Sequence, residues 1–165
     1  MVVDLMEKFM EAGFPRDTAI HIMNSAMVLK GENDTYSTLD FAVVDLYTGE
    51  LELTKIGAAA SFIRHRQEVR YIPGGSLPTG AEATKVDEPV CTRLTNGDFL
   101  VMVTDGVLEY LHVKNPEEKL SEMISEIKTE NAGVLARQLM ERVMLFTGGH
   151  ALDDMTIVVT GIWEK

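Results

Sequence analysis

The hydrophobic period of this chain changes along its length, and that change limits the folds open to it. Up to Leu29, apolar residues recur every three or four positions: Leu5, Met6, Phe9 and Met10, then Ala19, Ile22, Met23, Ala26 and Met27. Such spacing puts one apolar stripe on a helix. It predicts a helix over residues 2–12, stopped by Gly13, and a second from Thr18 on, with Pro15 where a first helical turn tolerates it. The polar segment from Lys30 to Thr35 reads as a loop. The spacing then shortens to two. Leu39, Phe41 and Val43 alternate with Asp40, Ala42 and Val44, which predicts a strand with one clearly apolar face. Thr48-Gly49 makes a turn to a return strand ending at Lys55-Ile56. Short strands follow at Ser61–His65 and Val69–Ile72, joined by Arg66-Gln67, then a Gly/Pro loop from Pro73 to Gly80. Val86–Leu94 and Phe99–Val103 are expected to pair through the hairpin signal Asn96-Gly97. Past Asp105-Gly106 the period returns to helical, with stripes at Leu120, Met123, Ile124 and Ile127 and at Leu135, Leu139, Val143 and Phe146. Gly148-Gly149 closes the last helix, and Met155–Ile162 is a β-branched strand. Two helices, six strands, two helices and a strand define an α+β layered domain without repeats.

Charge narrows the partners. The 15 Lys and Arg stand against 26 Asp and Glu, a net charge of −11. That balance excludes nonspecific nucleic-acid binding, which needs cations to displace counterions from phosphates, and disfavours docking on an anionic membrane. A phosphorylated substrate would be repelled unless a local cation or metal offset the field. The 165 residues contain a single cysteine, Cys91, so no intrachain disulfide forms, and the composition fits a reducing, cytoplasmic compartment. Cys91 is read as a small packing residue in a strand. The apolar stretch Ala19–Leu29 is shorter than the ~20 residues a membrane span requires. No basic segment followed by an apolar run marks a signal peptide.

Two segments place carboxylates at strand ends. In Leu100-Val101-Met102-Val103-Thr104-Asp105-Gly106, an apolar strand ends abruptly in Asp105. A buried strand holds such a carboxylate rigidly, and the glycine lets backbone turn close to what it binds. In Asp153-Asp154-Met155-Thr156-Ile157-Val158-Val159, two carboxylates precede an apolar strand. Adjacent strand residues face opposite sides, so only one of the pair is expected to look into a given site. Taken singly, each segment also reads as an ordinary turn or solvated loop. Together they offer the oxygen ligands that hard cations such as Mg²⁺ and Mn²⁺ prefer. No His-x-x-x-His or Cys-x-x-Cys spacing supports zinc.

The run Ser37-Thr38-Leu39-Asp40-Phe41-Ala42-Val43-Val44-Asp45-Leu46-Tyr47-Thr48-Gly49 resembles the stage II sporulation protein E family of PP2C-type phosphatases. So do Lys55-Ile56-Gly57, Ser61-Phe62-Ile63, Leu77-Pro78-Thr79-Gly80, Thr104-Asp105-Gly106 and Asp153-Asp154-Met155-Thr156, in the family's order. The resemblance implies a metal-dependent serine/threonine phosphatase with a PP2C-like layered αββα sandwich and two Mn²⁺ or Mg²⁺ ions at one end. By resemblance Asp105 and Asp153 are the metal-binding, catalytic aspartates, and Asp154 belongs to the metal site at a more remote position. The implied substrate is a phosphorylated protein of the anti-sigma-factor-antagonist type, with any membrane attachment supplied by a region upstream. The family's earlier Asp-Gly motif has no counterpart before the first helix here. Residues 1–165 are accordingly expected to be a single partial phosphatase domain lacking the N-terminal strands, inactive alone. The alternative is a phosphatase-like module that binds a partner or forms a homodimer without catalysis.

The remaining polar residues carry weaker signals. His21 and His65 read as packing or surface residues. His112 and His150 lie nearer the carboxylate segments and are candidates to support them from behind. Arg64 and Arg66 have the geometry to meet a phosphoprotein but read first as a solvated hairpin. Trp163 reads as an edge-packing aromatic.

Overall fold

The computed structural model describes residues 2–30, 38–75, 88–146, 148 and 154–163. Most of the expected loops at 30–35 and 73–80 lies outside them, as do His150 and Asp153, and Lys30 still belongs to the second helix. Helices α1 (Val2–Glu11) and α2 (Arg16–Lys30) lead. Gly13 ends α1 at φ 76°, letting the Phe14 and Gly13 amides donate back to the Phe9 and Met10 carbonyls. Phe14 then meets Phe9 edge-on at 5.4 Å, the apolar contact that accompanies this kind of helix stop.

Strands β1 (Leu39–Val44), β2 (Glu50–Ile56) and β5 (Val90–Arg93) form one antiparallel sheet, with β2 central. Strands β4 (Glu68–Ile72), β3 (Ser61–His65), β6 (Phe99–Val103) and β7 (Ile157–Gly161) form the other, in that order. Alternation decides the layers. Leu51 and Leu53 of β2 meet Ile63 and Leu100 between the sheets, joined by Ala42 and Val44 of β1. Leu39, Phe41 and Ile56 face the other way and are covered by Met6, Phe9, Ala19 and Ile20 of α1 and α2. Phe62, Phe99, Val101 and Val103 point away from the first sheet, onto α4 (Pro116–Glu126) and α5 (Ala132–Phe146) through Leu120, Ile124, Leu135, Leu139 and Val143. The result is the αββα sandwich expected from the sequence, with antiparallel sheets throughout the described residues. No helix among the described residues is long and apolar enough to cross a membrane.

Two details differ from expectation. Asn96-Gly97 does not join a hairpin: β5 pairs with β2, whereas β6 lies between β3 and β7. The turn is real, with Gly97 at φ 86° and the Asp98 amide donating to the Thr95 carbonyl, but it carries the chain from one sheet to the other. Phe99, Leu100 and Val101 are buried on both faces, and a strand like that is stable only in a sheet interior. The second difference is a short helix, α3 (Asp105–Tyr110), beginning on Asp105 itself. Six residues are too few to display a helical period.

Candidate functional site at one end of the sandwich

The end of the sandwich where β6 finishes and β7 begins gathers the candidate residues. Val103 pairs with Ile157, so the segments beyond both strands leave the sheet side by side. Thr104 joins them. Its amide donates to the Thr156 carbonyl (3.1 Å), and its Oγ1 accepts from the Thr156 amide (2.9 Å) and donates weakly to the Asp154 carbonyl (3.5 Å). This clasp ties Asp105 to the segment that carries Asp154. Asp105 is exposed and is the first residue of α3; its Oδ1 accepts from the Gly106 amide at 2.9 Å. Asp154 is exposed too and lies three residues before β7, so strand alternation does not set its direction. Asp153 falls outside the described residues.

Beside Asp105 opens a cavity of about 360 Å³. Ala59, Ala60 and Gly74 form one side, and Glu109, His112 and Glu117 bring side chains from the α3–α4 region. His112, at φ 48°, therefore shares the space with Asp105. Carboxylates at the rim of a chain of net charge −11 favour a cation there. The donors near Asp105 and Asp154 are hard oxygens, which suit Mg²⁺ or Mn²⁺. The described residues contribute part of a ligand set only, since no three metal-capable side chains converge among them.

The same end holds a polar trio, Asp40, Lys55 and Ser61, whose segments carry the family resemblance but to which the sequence assigns no role. Asp40 and Lys55 stand opposite each other on β1 and β2, both on the inward face. Lys55 Nζ donates to Asp40 Oδ2 (2.7 Å) and to the Ala59 carbonyl (2.6 Å), and Ser61 Oγ donates to the same Asp40 oxygen (3.2 Å). Burial pushes the Lys55 ammonium below the usual lysine range, with Asp40 partly opposing. The signal was available: Leu51 and Leu53 face inward, and period two carries Lys55 to the same side.

Other expectations resolve differently. Arg64 lies on the expected β3–β4 hairpin but is not solvated, unlike Arg66. It is 3% exposed, stacks 4.4 Å over the Phe99 ring, and donates to the Ile127 and Thr129 carbonyls just beyond α4. His65 sits at the opposite end, its Nδ1 2.6 Å from Asp98 Oδ1. Cys91 is exposed on β5 rather than packed: it stands opposite the exposed Glu52, on the face turned away from the inter-sheet layer. Trp163 packs edge-on against Phe99 at 5.4 Å, as an edge-packing aromatic should.

The two-sheet sandwich with helices on both outer faces matches the fold of solved PP2C phosphatase domains. The structure described as the PP2C phosphatase domain and a fragment of the regulatory domain of SpoIIE from Bacillus subtilis matches with a TM-score of 0.87 at 33% identity, covering 96% of this chain and 48% of that one. A manganese-presoaked structure of the SpoIIE phosphatase domain from the same organism matches with a TM-score of 0.75 at 31% identity, covering 99% and 74%. In sequence, stage II sporulation protein E of Bacillus subtilis strain 168 is 34% identical over 161 residues. That alignment covers 97% of this chain and 20% of the relative, so the chain spans about a fifth of the relative's length. The chain belongs to the stage II sporulation protein E (SpoIIE) family, whose sequence model matches residues 1–162.

Proposed function

We propose that residues 1–165 are part of one metal-dependent protein serine/threonine phosphatase domain, acting in the cytoplasm. The observation that carries the reading is the Thr104–Thr156 clasp, which ties Asp105 to the segment bearing Asp154 at one end of a SpoIIE-family sandwich. Asp105 and Asp153 would hold divalent cations, Mn²⁺ or Mg²⁺, with Asp154 nearby in a lesser role. The manganese presoak of a SpoIIE relative supports that choice of ion. When bound, such ions supply Lewis-acid activation of the attacking water and neutralise phosphate charge. The chain's own residues do the placing. β6 and α3 fix Asp105, the clasp fixes its neighbour segment, and the cavity beside Asp105 gives the phosphorylated residue a place to enter. The substrate class is a phosphoserine or phosphothreonine protein, of the anti-sigma-factor-antagonist type that the family resemblance implies.

The test uses the full-length protein and a phosphoserine protein substrate. Phosphate release that requires Mn²⁺ or Mg²⁺ and stops with chelator is expected. Substrate binding without release under any divalent cation would favour the non-catalytic, partner-binding reading.

A further inference from the structure

We infer that Lys55 and Asp40 are positioning residues of the phosphatase site: together they set the wall of the cavity that Asp105 shares with Ala59, Ala60 and Gly74. The inference rests on the reading that this cavity receives the phosphorylated residue. Lys55 is the hub. Its ammonium holds the Ala59 carbonyl at 2.6 Å, and Ser61, bonded to Asp40 at 3.2 Å, anchors the start of β3 immediately beyond Ala60. Its backbone also packs against the neighbouring Gly74-Gly75 segment. A Cβ on Gly75 would stand 2.5 Å from the Lys55 carbonyl oxygen, and the Gly75 amide donates to the Ala58 carbonyl at 2.9 Å. Gly74 packs as closely, since a Cβ there would stand 2.5 Å from the Ala58 carbonyl oxygen. Thus the buried ion pair holds the Ala59–Ala60 part of the wall directly, and Gly74 and Gly75 rest on the backbone of Ala58 and Lys55 at the same place.

Stability alone does not explain this pair. Lys55 and Asp40 side chains are 5% and 17% exposed, at the end of an otherwise apolar inter-sheet layer. Asp40 Oδ1 is buried and receives no hydrogen bond from any described residue. Burying an ion pair with an unsatisfied acceptor costs more than packing apolar side chains in the same space. Such a local cost is expected where a conformation has to be fixed for function.

The experiment separates bracing from stability with Asp40→Leu/Lys55→Met in the full-length protein. Replacing both charges leaves no stranded ion, so the thermal midpoint should stay within a few degrees of wild type. The single Lys55→Met variant, which strands the Asp40 carboxylate, should melt lower. If the pair braces the cavity, amide exchange over residues 57–63 of the folded double variant quickens about tenfold, and KM for the phosphoprotein rises about tenfold while kcat changes less than about twofold. A double variant with wild-type exchange and wild-type KM overturns the inference. A wild-type protein without phosphatase activity would defeat the functional reading instead. The exchange measurement then still decides whether the pair holds the wall.

Discussion

Removing the side-chain part of the Thr104 clasp tests whether the two carboxylate segments must be held together. Thr104→Val keeps the shape and the β-branch of the residue and leaves its amide bond to Thr156 in place. It removes the Oγ1 that accepts from the Thr156 amide at 2.9 Å and reaches the Asp154 carbonyl at 3.5 Å. One good and one long neutral hydrogen bond at an exposed position are worth about 1 kcal/mol together. For a domain of this size that lowers the melting temperature by roughly 2–4 °C. Turnover should respond far more. The segment that carries Asp154 is held less tightly beside Asp105, and a misplacement of about 1 Å at a reacting centre costs on the order of 10²-fold. Denaturant titration and steady-state kinetics on the full-length protein, run side by side, give both numbers. Thr104→Ser, which restores the hydroxyl, should recover most of the activity. If kcat/KM of Thr104→Val stays within about threefold of wild type, the clasp does not position the site and the reasoning fails.

Three further outcomes follow from packing and electrostatics. Arg64→Met removes two charge-assisted bonds to the Ile127 and Thr129 carbonyls and the stack on Phe99, partly offset by relief of a cation that burial holds below the usual arginine range; equilibrium unfolding should show a loss of about 2–3 kcal/mol. Gly75→Ala drives a Cβ into the Lys55 carbonyl at 2.5 Å, so a loss of about 1–3 kcal/mol is expected, measurable by the same titration. Asp45 is held below the usual carboxylate range by the Thr48 and Tyr47 amides, so its contribution is present above the unfolded carboxylate pKa and lost as pH falls through the folded one; Asp45→Ala should be less stable than wild type at pH 7, and the gap should close as pH drops below about 4.

Much of the fold was legible because its layers are built from strict alternation. Leu51, Leu53, Leu39 and Phe41 each lie on the face their parity assigns, and the αββα order follows from them. Strand partnership was not legible where a turn is local and pairing is not. Asn96-Gly97 specifies a reversal at Gly97, but nothing within that turn states that Phe99 will seek β3 and β7 instead of β5. The exposure of Cys91 also depends on pairing, since its register with β2 sets it opposite the exposed Glu52. Arg64 was misjudged because a charged residue near a turn reads as solvated, whereas the carbonyls beyond α4 and the Phe99 ring make a buried place for a guanidinium. In the site, Asp105 was visible as a carboxylate ending an apolar strand. Asp40 and Lys55 were hidden only because the alternation was read for its apolar members, not for the polar residues sharing their face.

Cation binding by Asp105 is the claim on which the rest depends. Titrating Mn²⁺ into the full-length protein, followed by electron paramagnetic resonance of the free ion, measures it without any substrate. Asp105→Asn should keep the wild-type melting temperature within a few degrees and weaken Mn²⁺ binding by at least about tenfold, because a neutral amide replaces a charged hard ligand. Unchanged Mn²⁺ affinity in a folded Asp105→Asn protein would contradict it.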